Sequence, residues 1–180
     1  MPPKAFSNLD DAEAESFFEV FVARAPGRLE EFKREVAARG GPTETALDGS
    51  PESLVGVWRW FVEHAGDGGG ALPAWYEPDP PELATERLSA EMLHDADGLA
   101  HYLAQVFQRE MPELEWGLGK LPKRMRYVSQ NKPVLKDDEG DVDVLAVAYN
   151  KAMRVRNGEE RDPDALLRTF SAWFDPTAAM

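Results

Sequence analysis

The chain has 180 residues, 43% of them hydrophobic, no cysteine and a formal net charge of −13 at pH 7. That length and apolar share suit a single globular domain over 1–180 and exclude a disordered chain. The missing thiols exclude disulfides, cysteine nucleophiles and thiolate metal sites. The negative charge argues against nucleic acid as a partner, and no apolar run approaches the roughly 18–20 residues needed to cross a bilayer. Met1-Pro2-Pro3-Lys4 has none of a signal peptide's apolar core, so no membrane and a cytoplasmic location are expected.

Asp10 or Asp11 can cap a first helix whose apolar stripe is Ala14, Phe17, Phe18, Phe21 and Val22. Pro26-Gly27 is expected to break it, and a second helix with Leu29, Phe32 and Val36 stops at Gly40-Gly41-Pro42. A helical hairpin over 9–40 results. The next helix, over 50–65, takes Ser50 as N-cap and Pro51 at its first position, with Leu54, Val57, Trp58, Phe61 and Val62 on one face. Trp60 lies off that stripe and is expected to be partly exposed. Residues 66–82 read as a long loop rich in glycine and proline, with Trp75-Tyr76 in its middle. These two aromatics either lie back on the core as a lid or stand out as an anchor for a partner.

A helix plus β-meander follows over 89–136. Ser89 can cap a short helical turn, Gly98 marks a bend, and Leu99, Tyr102, Leu103, Val106 and Phe107 form the stripe of a central helix ending at Met111-Pro112. The period then drops to two in Leu114, Trp116 and Leu118, and again in Met125 and Tyr127, before a third segment at Pro133-Val134-Leu135. Asp137 to Asp143 reads as a solvated acidic turn; its spacing does not fit an EF-hand calcium loop. C-terminal helices over 142–174 use Leu145, Tyr149 and Met153, then Leu166, Phe170 and Trp173. The expected fold is α+β, with about six helices packed around a small three-stranded antiparallel β-meander.

Two sets of residues could carry function. Trp60, Trp75 and Tyr76 suit an aromatic contact surface, and Lys120, Lys123, Arg124 and Arg126 lie in a stretch, 117–136, that holds no acid and could meet an acidic surface. His64, His94, Asp95, Asp97 and His101 are the candidate ligands for a divalent metal, because His94, Asp97 and His101 would share one helical face. A histidine followed by His94-Asp95 resembles the motif of the HD-type metal phosphohydrolases, over four residues only. No serine sits in a Gly-x-Ser-x-Gly elbow, and Gly68-Gly69-Gly70 lacks the Lys-Ser/Thr of a P-loop. No cofactor is implied.

Leu47-Asp48-Gly49-Ser50-Pro51-Glu52-Ser53-Leu54 resembles the Leu-Asp-x-Ser-x-x-Ser-Leu helix start of small bacterial α+β proteins that lack an assigned activity. Their second motif, Gly-x-Tyr-(Leu/Phe)-x-x-Val before a tryptophan-bearing strand, corresponds to Gly98 to Val106 and Trp116, with the glycine set further back and Gln105 where a glutamate is common. The resemblance spans about 47–136 and implies the fold, no catalytic residue, and a likeness to immunity or accessory proteins. The leading expectation is a non-catalytic cytoplasmic protein that binds a protein partner, as an immunity-type or adaptor protein. The alternatives are an HD-like metal-dependent phosphohydrolase and a structural subunit of a larger assembly.

Overall fold

The computed structural model describes residues 6–76, 88–120 and 130–174. A short 3-10 turn (Phe6–Asn8) leads into α1 (Asp11–Ala38), followed by α2 (Ser53–His64) and α3 (Ala90–Glu110). Strands β1 (Glu115–Leu118), β2 (Pro133–Lys136) and β3 (Asp141–Val142) precede α4 (Val144–Arg156) and α5 (Ala165–Ser171). The class is α+β, with five α-helices among the described residues and a three-stranded antiparallel sheet in the order β1-β2-β3.

The count falls below six because α1 is one helix of 28 residues rather than a hairpin over 9–40. It starts where expected: Asp10 accepts from the Glu13 N–H (2.8 Å) while Glu13 accepts from the Asp10 N–H (3.0 Å), a reciprocal capping box. Pro26 lies inside it and removes one helical hydrogen bond, a loss of about 3 kcal/mol in an isolated helix. Burial on both sides of the proline offsets this. Phe21 and Ala25 before it and Phe32 and Val36 after it enter the same core. A turn there would have to pull one half away.

Helix α3 is also longer than its stripe suggests. Ser89 does cap it, accepting from the Met92 N–H at 3.1 Å, but the helix then runs straight through Gly98. That glycine is a packing requirement rather than a bend: a Cβ placed there would overlap the Phe32 ring of α1. Every residue from Met92 to Ala104 is buried, so α3 is enclosed on all sides by α1, α4 and their neighbours. The helix expected to start at Pro51 after a Ser50 cap starts two residues later, at Ser53, with no side-chain cap. Ser50 instead ends a relay. The Gly49 N–H donates to Tyr102 Oη (3.2 Å), which meets Ser53 Oγ (2.6 Å), which donates to the Ser50 carbonyl (2.5 Å). Burial pushes the Tyr102 phenol up from its ordinary value. The two resembling motifs thus meet as one polar joint inside the core.

In the sheet, Trp116 pairs with Leu135 and Leu135 with Val142. The third strand is Asp141-Val142, which the sequence places in an acidic turn; Met125 and Tyr127 lie outside the described residues. Asp137 does form a turn, accepting from the Glu139 and Gly140 N–H groups, and Asp143 caps α4 through the Ala146 N–H. Asn131, at φ 62°, donates from its side chain to the Phe6 and Leu9 carbonyls, which ties the N-terminal turn to the sheet.

Two substitutions test this packing. Gly98→Ala is expected to cost about 2 kcal/mol through the clash with Phe32, and Tyr102→Phe about 1 kcal/mol by breaking the relay. Both are read from the urea midpoint at unchanged slope.

Candidate functional site

His94, Asp95, Asp97 and His101, enclosed in α3, need polar or charged partners in a core, and α1 with its C-cap residue Arg39 supplies most of them. Asp95, 1% exposed, takes a bidentate pair from Arg39 (2.7 and 3.1 Å) and a third bond from the Gly66 N–H (2.8 Å). Gly66 is at φ 86°, a backbone state open to glycine, which lets the chain leaving α2 turn its N–H inward. Arg39 also donates to the His64 carbonyl (2.6 Å) and lies 4.8 Å over the Trp60 ring, whose N–H returns a bond to the Arg39 carbonyl (3.3 Å).

Asp97 is the second node. It accepts from Arg28 Nε (2.8 Å) and from the Trp75 indole N–H (2.7 Å), with His101 Nε2 at 3.6 Å. Burial pushes its carboxyl up, but the adjoining His101 imidazole, the Arg28 guanidinium and the Trp75 N–H together hold it below its ordinary value. Arg28 donates further to the His94 carbonyl (2.8 Å) and approaches Glu31 (3.5 Å) and Glu35 (3.4 Å). His94 spans the gap to the loop: Nε2 lies 2.8 Å from Glu35 Oε1, and Nδ1 3.3 Å from the Ala71 carbonyl.

Between α1 and the 69–75 loop lies a cleft of about 730 Å³. Phe17, Val20, Phe21 and Leu72 form apolar walls, while Arg28, Glu31, Glu35, His94, Asp97 and His101 bring polar groups into the lining. Val20 and Leu72 remain 52% and 44% exposed. Among the described residues, the lining includes no serine, threonine, cysteine, lysine or tyrosine, so it presents carboxylates and imidazoles but no hydroxyl, thiol or amine side chain.

The expected contact residues are distributed differently from their sequence pattern. Trp60 is 2% exposed and packs edge-on against Phe32 (5.9 Å), because α2 is covered on its second flank by the end of α1. Trp75 and Tyr76 are half-buried; Trp75 reaches Asp97, and Tyr76 stacks on Tyr149 of α4 at 6.1 Å. They lie back on the core. Lys120 remains on the surface 3.9 Å from Glu15, and Lys123, Arg124 and Arg126 lie outside the described residues.

The metal candidates separate in the same way. His64 is on the surface of α2 beside Glu63 and Asp67, Asp95 and Asp97 are neutralised by arginines, and the His101 ring stacks on Phe21 (5.1 Å) next to Trp116. His94 instead joins Glu31 and Glu35, their ligand atoms all within 4.8 Å of one another. Those two glutamates were not apparent as site residues. Arg28, Glu31 and Glu35 share one helical face at i, i+3 and i+7 whether or not the chain breaks at Pro26-Gly27, but nothing local links that face to His94, which only the packing of α1 against α3 brings there. No family model, curated protein or solved structure matches the chain.

The Arg28–Asp97 pair gives a pH prediction. A carboxyl held low in the folded protein contributes fully above the unfolded value near 4 and loses that contribution as pH falls through its folded value. Asp97→Asn is expected to cost about 3 kcal/mol at pH 7 by leaving Arg28 partly unpaired. The gap to wild type should narrow below about pH 4, as measured by urea unfolding at both pH values.

Proposed function

We propose that this is a non-catalytic binding protein whose cleft between α1 and the 69–75 loop receives a segment of a basic protein partner. The supporting observation is the combination of exposed apolar walls with a lining whose charged groups are tied to one another. Arg28, Asp97, Glu35 and His94 bond mutually, an arrangement that holds a shape and offers no free acid–base pair. Val20, Phe17 and Leu72 can cover an apolar side chain, and the half-exposed Glu31 can meet a neighbouring lysine or arginine. The net charge of −13 suits a basic partner, whose approach it would accelerate at low salt. An immunity-type or adaptor protein is the concrete version of this reading. The HD-like hydrolase alternative has less support, since His64 stands apart on the surface, Asp95 is taken by Arg39, and Asp97, beside His101, is taken by Arg28 and Trp75.

The test places a photo-reactive side chain at Leu72 and, as control, at Arg59, an exposed α2 residue that does not line the cleft. One protein should cross-link from Leu72 and not from Arg59, with a yield that drops about tenfold on Val20→Asp and declines as salt rises. Equal capture from both positions, or capture indifferent to Val20→Asp, would refute the reading.

A further inference from the structure

We infer that Glu31, Glu35 and His94 form a binding site for a transition-series divalent cation of the zinc type, at the inner end of the cleft. The inference is independent of the partner-binding reading and stands on three features of the geometry. First, Glu31 and Glu35 are one helical turn apart on α1, so both carboxylates project from the same face toward His94 on α3, and the three ligand atoms lie within 4.8 Å of one another.

The second feature is the orientation of the histidine ring. Nδ1 lies 3.3 Å from the Ala71 carbonyl, which can only accept, so Nδ1 carries a proton. The other ring nitrogen, Nε2, lies 2.8 Å from Glu35 Oε1. A proton on Nε2 makes this contact a hydrogen bond, and a cation that displaced the proton would find the same nitrogen and carboxylate oxygen as ligands. A ring held through its other nitrogen by a backbone carbonyl is also the arrangement that prepares a histidine for a metal.

Third, the carboxylate of Glu35 divides its oxygens. Oε1 faces His94 while Oε2 is held by Arg28 at 3.4 Å, so the guanidinium orients the ligand from behind. Arg28 itself is balanced by Asp97, which limits its repulsion of a cation. One imidazole and two carboxylates make a nitrogen–oxygen set suited to zinc, cobalt or manganese, and the adjoining cleft leaves room for a water or a partner's side chain to complete the coordination. Because His94 also grips Ala71, and Gly70 lies so close that a Cβ would strike the His94 ring, an ion here would stiffen the loop that forms one cleft wall.

The experiment titrates chelator-treated full-length protein with zinc chloride by calorimetry, and with cobalt chloride by visible absorption. The expected result is one saturable ion per chain, with cobalt bands that report a low-coordinate site containing a nitrogen ligand. Glu35→Gln and His94→Gln should each weaken binding at least about tenfold, and His64→Ala should leave it unchanged. Glu31→Gln alters a half-exposed carboxylate, cannot abolish folding, and should also weaken binding. Absence of saturable binding would overturn the site, as would binding that survives both Glu31→Gln and Glu35→Gln.

Discussion

The structure depends on the need to neutralise charges placed inside it. Helix α3 carries Asp95 and Asp97 in a stretch where every residue is buried, and an isolated carboxylate in such surroundings costs many kcal/mol. Arg28 on α1 and Arg39 at its C-terminal cap answer them, each adding a bond to a main-chain carbonyl, of His94 and His64 respectively. These bonds set how α1 lies along α3. They also explain why α1 continues beyond Pro26: Arg28, two residues on, can reach Asp97 only if the helix keeps its direction.

The same pairs create the cleft. Asp97 takes the Trp75 N–H and His94 takes Ala71, so the chain leaving α2 is drawn across the face of α1 without filling the space against it. A cavity walled by Phe17, Val20, Phe21 and Leu72 is left over a polar network. Buried polar networks of this kind add little net stability compared with an apolar core, but they penalise any alternative arrangement strongly. Here the specified feature is the position of the 66–76 segment, which would otherwise have only half-buried aromatics to hold it.

Several elements were legible from the residues alone. The cap at Asp10, the cap at Ser89 and the end of α3 before Pro112 all depend on residues within three or four positions. The alternation around Trp116 located β1, although Gly117 and Leu118 are both buried in the strand itself. Errors arose where distant contacts overrule such signals. Gly98 looked like a bend but makes room for Phe32, 66 positions away, and Trp60 looked exposed because the residues covering it come from the end of α1. The candidate metal ligands were drawn from the histidines and their sequence neighbours, whereas His94 finds Glu31 and Glu35 through the packing of two helices.

By itself, then, the sequence determined the α+β class, the caps at Asp10 and Ser89 and most of the apolar stripes, since each follows from backbone hydrogen bonding and periodicity over a few residues. The tertiary structure decided which acids are paired with arginine, which aromatics are covered and which glutamates face His94. Those outcomes depend on which surfaces meet, and the free energy of a buried charge or ring is set by neighbours far along the chain rather than by the residues beside it.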